Sequence, residues 1–273
     1  MPIEHEWCAP PARPRIFVIL TAAVQAFVNL AKRGMKMQQR NTTERRELYE
    51  RVVRRWALAS SVSVVFAENS GADLSSIERQ VPQWRRAGFD FLTVPKLVEK
   101  LPFRAKPDVG RLEAQTIIYA LNHSRVLATR CPHDIVFGVT GRYFVHDFEH
   151  RVHAKCLAGR GGTAATALPL PWVLVQKPEW FGNSDERRKV ERETSVLGFA
   201  ASHARHVFGW AVAGPGETFD EYVHMYIGSE TNLGKLVKRM GDDPEQQKLL
   251  CDLPPLPIMP VREGSSGKWR ESV

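Results

Sequence analysis

The stretch Asp134–Val145, DIVFGVTGRYFV, begins as a buried strand and ends in a polar cluster. Its first half is rich in β-branched and aromatic residues, which suit a strand that is covered on both faces of a sheet. Its second half places a hydroxyl, a flexible backbone position, a permanent cation and a phenol side by side, in Thr140, Gly141, Arg142 and Tyr143. A planar guanidinium in such a place suits a phosphate or a carboxylate. The alternative is a surface turn in which Arg142 pairs with an acidic neighbour.

Apolar runs earlier in the chain alternate with helical patterns. Ile16–Leu20, Ser61–Ala67 and Phe89–Val94 predict three further buried strands. This alternation over the first 145 residues predicts the α/β class, with a mostly parallel central sheet flanked by helices in a single domain. We expect that domain to span residues 15–261, after an irregular N-terminal segment at 1–14 and before a polar tail at 262–273.

The formal net charge of the 273-residue chain is +8, and one segment carries most of it. Lys32–Arg55 contains nine Lys or Arg residues and three Glu residues, and its apolar residues recur at helical spacing. Because the excess of positive charge is confined to this basic helix, the sequence does not indicate a specific nucleic-acid-binding surface. The helix is either a salt-bridged, solvated face or a docking face for an anionic partner.

The apolar run from Ile16 to Ala31 is the nearest approach to a membrane segment. It is interrupted by polar residues, and a span needs roughly 20 apolar residues, so we expect a core strand leading into a helix and no clear membrane span. Arg13 and Arg15 before it leave a signal anchor open. The protein could therefore be soluble and cytoplasmic or associated with the Golgi and secretory route.

Its four cysteines are far apart and indicate neither a disulfide scaffold nor a structural zinc site.

A second polar cluster, Glu68-Asn69-Ser70-Gly71, ends the strand that begins near Ser61. Ligands bind at the carboxyl ends of strands in α/β sheets, so this cluster and Thr140–Tyr143 should face the same edge. There Glu68 and Asn69, with Ser70 beside them, would hydrogen-bond a base or a ribose. The alternative is an ordinary turn, because Asn, Ser and Gly are frequent turn formers.

The segment KPDVGRLE, Lys106–Glu113, opens the helix that precedes the quoted strand. Free backbone N–H groups at Gly110 and Arg111, together with the Arg111 guanidinium, would suit a phosphate. Lys106 adds a cation nearby. Glu113 in the first turn suits the helix dipole without any further role.

Asp147-Phe148-Glu149 imitates the acidic DxD pair that holds a divalent cation against a diphosphate. Asp147 and Glu149 are therefore candidate ligands for Mn²⁺ or Mg²⁺, and a solvated charged loop is the alternative. The histidines around them lack partner cysteines, which disfavours a structural zinc site.

The order of these clusters resembles a group of glycosyltransferases of the GT-A type. FAENSGADLS, a GxxE helix start followed by IIYAL, and DIVFGVTGRYFV carry the resemblance, and RETSVLGF, GETFDEYV and LPPLPI continue it more faintly over most of the chain. One position departs from the pattern: Gly138 stands where the resembled sequences have Lys. No DxD motif occurs at the usual place after the central strand either.

The resemblance implies transfer of a sugar from a nucleotide-sugar donor to a glycan or other acceptor. It assigns Arg111 and Arg142 to the diphosphate, and it makes Glu193 the candidate catalytic base, with Glu221 as the second choice. The alternative is a catalytically inactive protein of the same fold that acts through its basic helix. A nucleotidyltransferase is disfavoured, because Thr21–Gln25 after the first strand contains no glycine.

Overall fold

The computed structural model describes residues 14–25, 42–59, 61–84, 88–95, 109–157, 173–176, 193–202, 250–253, 258–259, 261–262 and 269–270. The strands are β1 (Ile16–Ala22), β2 (Ser63–Glu68), β3 (Phe89–Thr93), β4 (Ile135–Thr140), β5 (Phe144–Val145), β6 (Val173–Gln176), β7 (Glu193–Ala200), β8 (Leu250–Leu253), β9 (Ile258–Met259), β10 (Val261–Arg262) and β11 (Trp269–Arg270). The helices are α1 (Thr42–Ala59), α2 (Ser75–Glu78), α3 (Val81–Trp84), α4 (Val109–His123), α5 (Arg125–Ala128) and α6 (Phe148–Leu157).

Seven of these strands form a central sheet in the order β3-β2-β1-β4-β7-β6-β8. The pairs β3–β2, β2–β1, β1–β4 and β6–β8 are parallel, whereas β7 runs antiparallel to both β4 and β6. The predicted α/β class and mostly parallel sheet are confirmed. The antiparallel strand β7 was not predicted. Beside the sheet, β5 pairs with β9 and β10 pairs with β11, both antiparallel.

One face of the sheet is covered by α1, whose apolar stripe follows the spacing in the sequence. Leu48, Val52, Val53 and Trp56 are all buried there. The Trp56 ring packs edge-on against Phe144 and Phe148, and its Nε1 donates a hydrogen bond of 2.9 Å to the carbonyl oxygen of Tyr143. This bond anchors the chain just after β4 to the helix.

The opposite face is covered by α4. Ile117 in this helix lies over Gly138 in β4, so closely that a Cβ on Gly138 would be 2.8 Å from the Ile117 Cδ1 atom. Position 138 is therefore a helix-packing position here, and the isoleucine occupies the space that a longer side chain on β4 would need. Glu113 near the start of α4 accepts a hydrogen bond from Thr21 at the end of β1, so this end of the helix lies toward the carboxyl ends of the strands.

The two polar clusters lie on one edge of the sheet, on strands that flank β1. Ala22 is the partner of Glu68 in β2, and Thr21 is the partner of Thr140 in β4. The predicted common edge is thus confirmed.

None of the described helices combines the length and the apolarity that crossing a membrane requires.

Replacing Gly141 with Ala should lower the free energy of unfolding by roughly 1–3 kcal/mol, because the added methyl group would overpack a rigid contact. It would lie 2.6 Å from the backbone oxygen of Thr21. Gly138→Ala is the matched control, since its methyl group would meet the flexible end of Ile117 and should cost less. Urea denaturation of both variants measures the difference, and equal losses would contradict it.

Candidate functional site

The turn after β4 is held against the end of β1 by the backbone. Gly141 donates its N–H to the carbonyl oxygen of Thr21 at 2.7 Å, and Tyr143 donates to that of Thr140 at 2.9 Å. A side chain at position 141 would collide with Thr21, so the glycine is required by this close approach. Tyr143 is 8% exposed and belongs to the apolar core. Gly141 and Tyr143 therefore shape the turn, and Arg142 is left between them at its tip.

Arg142 is partly buried, and its guanidinium lies over the Tyr143 ring, 6.0 Å from the ring centroid. Within the described ranges no carboxylate forms an ion pair with it. Glu113 is close enough for the charge of Arg142 to act on its pKa, but no ion pair joins the two side chains. The guanidinium remains available to an external anion.

Glu113, which the sequence indicated only as a dipole partner, lies at the centre of this edge. Thr21 at the end of β1 donates a hydrogen bond to its Oε1 at 2.7 Å, and Thr140 at the end of β4 approaches the same oxygen at 3.4 Å. The sequence signal that could have indicated a further role for Glu113 was its position three residues after Gly110, at the start of a helix. Nothing in the local sequence indicates that two strand-end hydroxyls meet it.

Burial raises the pKa of the Glu113 carboxyl above its ordinary value, although the residue as a whole keeps some exposed surface. The hydrogen bond from Thr21 and the positive charge of Arg142 act in the opposite direction but do not outweigh desolvation. The carboxyl therefore retains its proton to a higher pH than an exposed glutamate does.

Glu68 is 1% exposed and is bound by the loops around it. Its Oε1 accepts hydrogen bonds from the backbone N–H groups of Val24 and Ser70, each at 3.0 Å, and from the Ser70 hydroxyl. Its Oε2 accepts from the N–H of Ala72 at 2.9 Å. Ser70 also accepts from the N–H of Gln25 at 2.9 Å. Glu68 and Ser70 thus tie together the loops that follow β1 and β2.

Asn69 is 6% exposed and lies between β1 and α4. Its backbone N–H donates to Ala22 at 2.9 Å, and its Nδ2 donates to the hydroxyl of Thr116 at 2.8 Å. Its Oδ1 is buried and accepts no hydrogen bond from any described residue. An orphaned acceptor at a strand end requires an explanation, and a ligand donor is one. Because Thr116 and Glu113 are three residues apart on α4, Asn69 and Glu113 are near neighbours.

Other predicted residues are placed only by their backbones. Arg111 is in the first turn of α4, as expected for a phosphate-binding helix start. Glu193 begins β7, and the antiparallel register, with Val139 opposite Val196, puts that start beyond the carboxyl end of β4. Lys106 and Glu221 lie outside the described residues. The roles predicted for these four residues stay predictions.

Asp147 and Glu149 are at the start of α6. Asp147 is exposed, with a left-handed φ of 51°, and the Glu149 carboxylate is 3.5 Å from the Nε2 atom of His153. In the part of the chain that the structure describes, no group of three or more acidic, His or Cys side chains could hold a metal ion. A divalent cation held against a diphosphate needs only one or two protein carboxylates, so the role of Asp147 and Glu149 as ligands for Mn²⁺ or Mg²⁺ stays a prediction.

No protein-family model matches the sequence, and no curated protein matches it in sequence. Among solved structures, one that is similar is the apo form of mouse xyloside xylosyltransferase 1, a glycosyltransferase. The two chains are 8% identical, with 88% of this chain and 84% of that chain covered and a TM-score of 0.41. At this level two chains need share neither a site nor a reaction.

Glu113→Gln should raise the stability of the protein at neutral and higher pH, because the amide does not have to take up a proton on folding. In the wild type the native state binds more protons than the unfolded state between the ordinary pKa of Glu113 and its raised folded value. Stability therefore falls as pH rises through that interval. Urea denaturation from about pH 5 to pH 8 should show the gap between variant and wild type widening with pH. A constant gap would contradict the raised pKa.

Proposed function

We propose that the protein is a glycosyltransferase with a GT-A-type domain, which binds a nucleotide-sugar donor at the carboxyl edge of the sheet. Its sugar is transferred to a glycan or other acceptor. The observation that carries the proposal is Arg142, a cation without an ion pair among the described residues. It lies close to Glu113 near the start of α4, on the same sheet edge as an asparagine with an orphaned oxygen. A phosphate-binding cation adjacent to acceptors for a nucleoside is the pattern that a nucleoside diphosphate requires.

In this proposal the diphosphate lies against Arg142 and the backbone N–H groups of the first turn of α4. The Arg111 and Lys106 side chains supply further positive charge. Together they stabilise the charge that develops on the diphosphate as the sugar leaves. Asn69 Oδ1 accepts a hydrogen bond from the base or ribose, and Glu68 and Ser70 position the loop that carries Asn69.

The acceptor is activated by a carboxylate base, for which Glu193 is the first candidate and Glu221 the second. In an inverting reaction the base takes the proton of the acceptor hydroxyl, whose oxygen bonds to the anomeric carbon as the bond to the diphosphate oxygen breaks. The support for Glu193 is the placement of its backbone at the start of β7, on the edge where β4 ends. Asp147 and Glu149 are the candidate residues for holding Mn²⁺ or Mg²⁺ against the diphosphate, and no step of the transfer is assigned to a metal ion.

A catalytically inactive protein that acts through its basic helix is the second candidate. It is favoured by the outer face of α1, where Arg51, Arg54 and Arg55 are exposed. Such a protein would bind no ligand at the sheet edge, and the experiment below distinguishes the two candidate functions.

A thermal-shift screen with UDP-, GDP- and CMP-sugars, with and without Mn²⁺, tests the proposal. A ligand that binds only the folded state stabilises it by about 2.7 kcal/mol at a concentration 100 times its Kd. Arg142→Ala should abolish the shift and change the melting temperature of the free protein only slightly, because it removes a ring contact with Tyr143 and no described ion pair.

The matched control for this screen is Arg55→Ala, which removes an exposed arginine from α1 and should leave the shift unchanged. The absence of a shift from every nucleotide sugar would overturn the proposed function. A shift that survives Arg142→Ala would remove Arg142 from the site.

A further inference from the structure

We propose that Glu113 binds the diphosphate of the ligand as a neutral acid, donating a hydrogen bond from Oε2 to a phosphate oxygen beside Arg142. The inference rests on the proposed nucleotide-sugar site. It adds to that site a binding residue and the protonation state in which that residue works.

The hydrogen bonds around Glu113 distinguish its two oxygens. Both neighbouring hydroxyls, of Thr21 and Thr140, are directed at Oε1, at 2.7 and 3.4 Å. No described residue donates a hydrogen bond to Oε2. A neutral carboxyl has one accepting oxygen and one oxygen that carries the proton. With Oε1 committed as the acceptor, the proton resides on Oε2, which is then an O–H donor.

The charges around Glu113 favour this neutral form once an anion is bound. Strands β1 and β4 present hydroxyls to it, and the turn after β4 presents Arg142. Glu68 at the end of β2 is held by its own donors and follows Val64 and Phe66 on the opposite, α1-covered face of the sheet. On α4 itself Arg111 is two residues before Glu113, and no other charged residue lies between Glu113 and His123 at the helix end. A diphosphate would neutralise Arg142 and repel a carboxylate, so the ligand and the proton stabilise each other.

The placement of the O–H donor suits a bridging or terminal phosphate oxygen. Thr21 and Thr140 are partners on adjacent parallel strands, so Glu113 lies over the ends of both. Arg142 follows Thr140 by two residues, and the first turn of α4 precedes Glu113 directly. A neutral acid, a guanidinium and backbone N–H groups therefore converge from one helix start and one strand end. Together they supply hydrogen-bond donors and positive charge, which match an anion.

The test compares binding of UDP, GDP and inorganic pyrophosphate to the wild type, Glu113→Gln and Glu113→Ala by calorimetry between about pH 6 and pH 9. Glutamine keeps an acceptor for Thr21 and replaces the O–H with an N–H donor that does not titrate. We expect Glu113→Gln to bind at least as tightly as the wild type. We expect the wild type to weaken relative to it by up to about tenfold per pH unit at high pH. Glu113→Ala should bind about tenfold more weakly than Glu113→Gln, since it lacks the donor.

Loss of binding in Glu113→Gln equal to that in Glu113→Ala would overturn the inference, because it would make Glu113 an ionised acceptor or base. Identical pH profiles of wild type and Glu113→Gln would overturn it too. Melting temperatures of the free variants show that each is folded. If the wild type binds nucleotide sugars in the screen above but Glu113→Gln no longer binds UDP, GDP or pyrophosphate, only this inference fails. If no nucleotide compound binds the wild type, the proposed function fails with it.

Discussion

The contact between the Gly141 backbone and the carbonyl oxygen of Thr21 is the constraint on which the proposed site depends. It extends the pairing of β1 and β4 by one residue beyond the last strand partners. It therefore keeps the hydroxyls of Thr21 and Thr140 side by side under α4, where both reach Glu113. It also starts the turn that presents Arg142. A side chain at position 141 would push the two strand ends apart and separate these groups.

The two edges of the sheet differ in how their buried polar groups are satisfied. At the amino edge, Asp134 is fully buried and accepts hydrogen bonds from the backbone and guanidinium of Arg15 and from the N–H of Cys131. At the carboxyl edge, burial holds Glu113 toward its neutral form and Asn69 keeps an orphaned oxygen. Unpaired buried groups lower stability, and perturbed titratable groups concentrate at functional sites. The contrast separates a structural ion pair from a candidate binding site.

The helix and strand pattern of the first 145 residues was predictable, and so was the edge at which the polar clusters meet. Alternating apolar runs indicated β1, β2, β3 and β4, and the carboxyl-end rule brought Asn69 and Arg142 to one edge. The partners of Glu68 were not predictable, because one of its donors is Val24, 44 residues earlier in the chain. Nor was the position of Glu113 over two strand ends, since this depends on which strands α4 crosses. The proposed role of Glu113 therefore rests on tertiary packing, whereas the proposed role of Arg142 could be inferred from the local sequence.

By itself the sequence determined the α/β alternation, the polar ends of β2 and β4, and a helix start within Lys106–Glu113, because periodic burial and strand-end chemistry are local properties. Only the tertiary structure decided that β7 runs antiparallel to β4, that Ile117 fills the space above Gly138, and that Glu113 is desolvated beside Arg142. Each of these depends on groups brought together from distant segments. The pKa of a carboxyl is a clear case, since it is set by the atoms and charges that surround it in space rather than by its neighbours along the chain.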